Sequence, residues 1–509
     1  MNFNDVEKHF ILTLKRCIGI RRYEPSSKQW DPISAMTWIP MVAVSFVLGS
    51  MVAVGQPARV GRPYGEGTKK FTVDAGRTVG EIRSLLGVNR GPGAFLDNYR
   101  KLGIDFIRVH DFYGPTDWYV IFPDWEAEPE DPASYDFASS DSKIQAICEN
   151  GFQCFYRLGT SWRGRRKEPI NDPPGTIRDE KGRVIHRADR EDFKKWGVIC
   201  AHIVKHYTKG WNDGFTYPIL YWEIWNEPDL REQFWTGTPE QYYMLYEEAV
   251  NAIKDVDEDF HVGGPGSTGR LSEAYVEGLL QYCRKRHVPL DFFSWHSYGG
   301  RNEFNPYQFY QDAMRVRRAL DEHGFTEAGN CLTEWNAGIQ GRLFSHTPEA
   351  PPFYASVLGY LLNAKVDYAF QYCGVDHPGL GLHDRRTGRL KRCAYAFEAW
   401  KRLCETPEWL YARGVDKAGY ILIAGRNAEK TRVQILVSDF QSGYDGFEIH
   451  ITHLPWIEAQ TFRLRRCVLT DNHGFEEAES AQLQGNALEL KRPFRAPGLC
   501  LIELQRSSD

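Results

Sequence analysis

Eight short apolar runs, each separated from the next by a longer amphipathic stretch, recur between about Gly80 and about Pro407 of this 509-residue chain. They are Ser84–Val88, Phe106–His110, Cys154–Leu158, Leu220–Trp225, His261–Gly264, Phe292–His296, Asn330–Glu334 and Tyr368–Tyr372. Strands that alternate with helices feed a parallel sheet, and eight such units close it into a barrel. Helices are expected at Leu96–Leu102, Arg190–Tyr207, Thr238–Val256, Ser272–Arg286 and Phe309–Glu322. Pro239 in the first turn after Thr238, and Gly324 after His323, supply start and stop chemistry. The expected fold class is α/β, a (β/α)8 TIM barrel over residues 80–407.

After Pro407 the texture changes to alternating strands: Tyr420–Ala424, Thr431–Ser438, Gly446–Thr452, Thr461–Leu469, Leu488–Leu490 and Leu499–Leu504. That pattern predicts an accessory antiparallel β-sandwich over residues 408–509, to which residues 59–79 add a strand through Lys70–Val73. Residues 1–58 form a separate N-terminal segment. Behind Lys15, Arg16, Arg21, Arg22 and Lys28, the stretch Ile33–Val54 carries no charge and is mostly apolar. It reads either as an export signal cleaved after Gly55 or as an uncleaved membrane anchor. Either way the expected location is secreted or periplasmic, with anchorage to the inner membrane as the second form.

A net charge of −5 offers no global basic field, so nucleic acid is not an expected partner. The eleven cysteines form no CxxC pair and no Cys/His cluster at zinc spacing, which argues against a structural metal; no cofactor is expected. Aromatic residues make up 14% of the chain, a supply of flat faces that suits a sugar cleft as well as a large core.

In a parallel barrel the C-terminal strand ends share one cleft. Here those ends carry His110, Asn226, Glu227, His296, Tyr298 and Glu334. Glu227 closes Trp222-Glu223-Ile224-Trp225-Asn226-Glu227-Pro228-Asp229, and Glu334 closes Cys331-Leu332-Thr333-Glu334-Trp335-Asn336. Cleaving a glycosidic bond needs one carboxylic acid for the leaving oxygen and one carboxylate for the anomeric carbon, and this pair supplies both. Two carboxyls in one cleft oppose each other's ionisation, so one keeps its proton. Asn226 is placed to hydrogen-bond a 2-hydroxyl and Tyr298 to orient Glu334. Trp162, Trp222, Trp225, Trp335 and Tyr372 are candidate sugar platforms, the first four equally suited to packing between strands and helices.

The Asn-Glu-Pro of the fourth strand and the Thr-Glu-Trp of the seventh, with Arg108-Val109-His110 and Trp295-His296-Ser297-Tyr298, resemble clan A retaining glycoside hydrolases and most closely family 39. The resemblance spans roughly residues 70–509, sandwich included. It implies Glu227 as acid/base, Glu334 as nucleophile, Asn226 as the 2-hydroxyl contact, Tyr298 as the partner of the nucleophile, and His110 and His296 as subsite residues. Many clan members carry Trp at the end of the eighth strand, where this chain has Gln371-Tyr372.

Each residue also has a structural reading. Glu223 lies four before Glu227 and sits deeper in the sheet; Glu334 fits a buried ion pair with an arginine; the two histidines fit a satisfied core; Arg108 and Arg157, inside strands, fit partners of carboxylates. Arg163, Arg165 and Arg166 in the long loop 162–189 fit either a pocket for a uronic carboxylate or a solvated charge run. The expected activity is retaining glycoside hydrolysis of an extracellular or periplasmic polysaccharide or oligosaccharide. The competing reading is a non-catalytic barrel that binds polysaccharide during its synthesis or export.

Overall fold

The computed structural model describes residues 65–509 apart from 111–113, 162–170, 232, 300–303, 339–343, 376–378, 471–473 and 508–509. Trp162, the three loop arginines and the Ile33–Val54 segment therefore lie outside the described residues. Among those described, no helix is long and apolar enough to cross a membrane.

The first strand, β1 (Thr68–Glu81), belongs to the sandwich and runs two residues past the boundary expected at 79. Eight parallel strands then close a barrel: β2 (Gly87–Asn89), β3 (Phe106–Val109), β4 (Gln153–Leu158), β7 (Tyr221–Ile224), β8 (His261–Ser267), β9 (Phe292–Ser297), β10 (Gly329–Trp335) and β11 (Tyr368–Gln371). A small hairpin, β5 (Ile177–Arg178) with β6 (Val184–His186), rises from the loop after β4. Each expected barrel strand is present, the first beginning at Gly87 rather than Ser84.

The barrel interior is layered as strand alternation requires. Phe106, Phe155, Tyr221, Phe292, Cys331, Tyr368 and Phe370 pack together at the N-terminal strand ends and plug the base. Two residues further along lie Arg108, Arg157 and Glu223, all fully buried. Arg157 pairs with Asp117 at 2.7 Å, so its charge is compensated locally. Outside, helix Arg190–Lys209 starts from a capping box of Asp189 with Asp192, and helix Pro239–Lys254 from one of Thr238 with Gln241.

The companion sheet has nine strands, adding β12 (Glu408–Arg413), β13 (Tyr420–Arg426), β14 (Arg432–Asp439), β15 (Gly446–Thr452), β16 (Thr461–Thr470), β17 (Gly474–Gln484), β18 (Leu488–Pro493) and β19 (Gly498–Arg506). It folds over a core that includes Phe71, Leu422, Ile435, Phe447, Phe462 and Ile502. The expected all-antiparallel pattern is broken once: β1 sits mid-sheet, antiparallel to β12 but parallel to β15. A strand arriving from before the barrel is free of the hairpin geometry that forces its neighbours to alternate. Every residue of β13 is buried, because Tyr420, Leu422 and Ala424 face the sandwich core while Ile421 and Ile423 join the barrel core. Helix Ala350–Asn363 lies under that second face and is buried from Ala350 to Leu362.

Candidate active site

Regular alternation after Tyr221 and Glu223 would turn the Trp225 ring into the barrel. Instead Trp225 has φ 73° and Glu227 φ 46°. Trp225 packs outward, 5.8 Å from the Trp196 ring and 5.1 Å from that of Trp235, and its indole N–H donates to the Phe234 carbonyl. Left-handed backbone at a bulky residue costs of order 1–3 kcal/mol, which this packing offsets. The gain is orientation: Asn226 and Glu227 face the barrel axis, with the Glu227 amide bonded to the Gly266 carbonyl at 3.0 Å.

Glu334 reaches the same cleft by a different device. Leu332 pairs with Trp295 and Glu334 with the next residue, His296, so Thr333 is an extra residue in β10. That bulge turns an outward position inward. Arg108 donates from Nη1 to Glu334 Oε1 at 3.0 Å, and the Tyr298 hydroxyl donates to Oε2 at 2.7 Å. The same guanidinium donates to Glu223 at 2.6 Å, to Asn89 at 2.8 Å and to Asn226 at 2.8 Å. One buried cation thus holds the second carboxyl, the amide beside the first, and a deeper glutamate. Glu334 is thus ion-paired to Arg108 and faces the cleft.

His296 joins the two carboxyls. Its Nδ1 lies 2.7 Å from Glu227 Oε1 and 3.6 Å from Glu334 Oε2, and donor atoms of Glu227, His296 and Glu334 all fall within 4.8 Å of one another. Burial, reinforced by the negative charge of Asp229 and opposed by Arg108, pushes the Glu227 carboxyl up to about 8. Burial likewise lowers His296, and it lowers His110 well below the usual imidazole range with help from Arg108 and Arg157. Burial and the Glu334 charge raise the Tyr298 phenol, keeping it a donor. The cleft therefore holds a protonated carboxylic acid, neutral imidazoles and one arginine-bound glutamate at neutral pH.

His110 Nε2 stands 3.7 Å from Glu334, and its ring lies 6.2 Å from those of Phe234 and Tyr372. Tyr372 is nearly buried, at 7% exposure, and presents a small face. Asn226 spends Oδ1 on Arg108, while Nδ2 is buried with no partner among the described residues. The sequence reading assigned no role to Asn89, Gly266 or Asp229. Asp229 was within the quoted motif; its acceptance of the Thr268 amide and hydroxyl was not legible there. Among the described residues, two further donor clusters meet the spacing for a cation, His186/Asp189/Asp192 and Glu448/His450/Glu489. In the first Asp189 and Asp192 cap a helix, and in the second Glu448 already binds His450 at 2.6 Å.

A closed parallel barrel with two carboxyls at its C-terminal face and a β-sandwich at its side is an architecture suited to glycosidic-bond hydrolysis. The chain belongs to glycosyl hydrolases family 39, whose model matches residues 69–375. It is 28% identical over 289 residues to a beta-xylosidase of Caldicellulosiruptor saccharolyticus, covering 52% of this chain and 55% of that protein. It is 27% identical over 236 residues to one of Geobacillus stearothermophilus, covering 46% and 44%. The chain thus spans about half the length of the curated relatives it matches. A glucosidase structure from Croceicoccus marinus superposes with a TM-score of 0.72 and 26% identity over 87% of this chain and 99% of that one. A monomeric beta-xylosidase from Caulobacter crescentus shares the fold, with a TM-score of 0.63 and 18% identity over 86% of this chain and 99% of that one.

Proposed function

We propose that this protein is a retaining glycosidase that cleaves β-linked xylosides or glucosides of an exported polysaccharide or oligosaccharide by double displacement. Glu334 attacks the anomeric carbon while Glu227 protonates the leaving oxygen; Glu227 then takes a proton from water, which releases the sugar from Glu334. The observation that carries this reading is the pairing of a protonated Glu227 with an arginine-bound Glu334 across His296, whose Nδ1 lies 2.7 Å from the first and 3.6 Å from the second. Retaining enzymes hold the carboxyls about 5–5.5 Å apart and inverting enzymes about 6.5–9.5 Å apart to admit a water, and the contact that both glutamates make with His296 favours the closer arrangement. The unpartnered Nδ2 of Asn226 is the donor for the 2-hydroxyl, and His110 and Tyr372 border the sugar. The names of the relatives support xylose- and glucose-configured sugars as the first to try.

The test is hydrolysis of a panel of aryl β-xylosides and β-glucosides, with product stereochemistry read by NMR. Release with retained configuration that disappears in Glu334→Gln is the expected result; an active Glu334→Gln protein would refute the mechanism. Binding without release from any glycoside would favour the polysaccharide-binding reading. We also propose that Ile33–Val54 sends the chain to the cell envelope, which fractionation of cells producing the full chain tests.

A further inference from the structure

Two buried polar atoms beside the proposed acid/base have no hydrogen-bond partner among the described residues: Nε2 of His296 and Oε1 of Glu223. They face one spot. A Cβ built on Gly266 would stand 3.4 Å from each of them and 3.6 Å from Nη2 of Arg108. Glycine, at φ 61°, has no side chain to come between them. On the other side of the ring, Nδ1 of His296 meets Glu227 at 2.7 Å. Glu223 is immobilised, its Oε2 accepting from Nε of Arg108 at 2.6 Å.

Buried polar atoms without a protein partner are ordinarily joined by ordered water, and a chain whose donors all point towards an anion is polarised cooperatively. We propose that Glu223 is a positioning residue for the acid/base centre: a water seated against Gly266 accepts the Nε2–H of His296 and donates to Oε1 of Glu223. A neutral imidazole has one N–H to place, and the Glu223 anion draws it to Nε2. Nδ1 is then an acceptor, so the hydrogen bond to Glu227 runs from the carboxylic acid to the ring. The acid is held protonated and at a fixed angle until a leaving oxygen competes for its proton. Outer carboxylates set the tautomer of metal-bound histidines by the same logic. This inference rests on Glu227 being the acid/base.

Two measurements test it. Nitrogen-15 spectra of the full chain labelled at histidine, with His296 assigned by its loss in His296→Gln, should show Nε2 protonated and Nδ1 bare near neutral pH. A proton on Nδ1 would overturn the proposal. In kinetics, Glu223→Gln should lower kcat/KM about tenfold more for glycosides with poor aryl leaving groups than for 2,4-dinitrophenyl glycosides, which depart unprotonated; a positioned acid is worth about 10²–10⁴-fold. An equal loss on both substrates would mean that Glu223 serves only Arg108 and Glu334, and the proposal would fall. Glu227→Gln is run alongside. If it shows the leaving-group dependence and Glu223→Gln does not, the positioning role alone is refuted; if neither shows it, the acid/base reading fails as well.

Discussion

Replacing Glu227 by glutamine should stabilise the fold by an amount that grows with pH. The folded-state carboxyl titrates at about 8 against an ordinary value of 4.5. Between those values the folded chain binds a proton that the unfolded chain has released, so wild-type stability falls as pH rises through this window. At about 1.36 kcal/mol per unit, the cost is about 1 kcal/mol at pH 5 and about 3 kcal/mol at pH 7, levelling off above about pH 8. The Glu227→Gln side chain keeps the shape and loses the ionisation, so it escapes the cost. Equilibrium guanidinium denaturation of both proteins at pH 5 and pH 7 should show the variant's advantage widen by about 2.5 kcal/mol. An advantage that does not change with pH, or a variant weaker than wild type at pH 7, would refute the claim that the folded chain holds Glu227 in its neutral form.

The same titration sets the kinetics: kcat/KM of the wild type should decline above about pH 8, as Glu227 loses the proton it must deliver. Arg108→Met should cost about 3–5 kcal/mol in denaturation measurements, because it leaves Glu223 and Glu334 buried without their cation. Gly197→Ala places a Cβ 2.8 Å from the Glu248 carbonyl and should separate helices Arg190–Lys209 and Pro239–Lys254 at a cost of about 1–3 kcal/mol. Hydrolysis below the unfolding temperature should be unchanged in that variant.

The barrel was legible because its strands are short, apolar and punctuated, and because strand ends carrying Glu, Asn, His and Tyr are rare in a purely structural sheet. Helix Ala350–Asn363 escaped notice for the opposite reason: sealed between barrel and sandwich, it is apolar all round and has no amphipathic period to read. Strand β17 was missed because Gly474–Gln484 lies at the sheet edge with a mostly exposed, charged sequence. At the site, the motifs located Glu227 and Glu334, and the depth assigned to Glu223 matches its complete burial. What alternation alone could not give was their direction. Two left-handed residues aim Asn226 and Glu227, and a bulge at Thr333 aims Glu334; neither departure is marked by a glycine at the residue concerned. The convergence of four acceptors on Arg108 was equally hidden, since they come from three different strands and the turns beyond them.

The mid-sheet position of β1 has a consequence for biosynthesis. Lys69 on β1 is ion-paired with Asp416, 347 residues later in the chain. At ribosomal rates of about 5–20 residues per second, the strand emerges roughly 20–70 s before either of its neighbours exists. During that interval Phe71 and Val73, which end in the sandwich core, have nothing to bury against, and both edges of β1 stand open. The barrel is completed first, and the outer face of helix Ala350–Asn363 remains bare until β13 and β14 arrive to cover it. Strands made after the barrel therefore close the sheet around the first described strand, and a nascent chain released short of β12 would expose both an unpaired strand and an apolar helix.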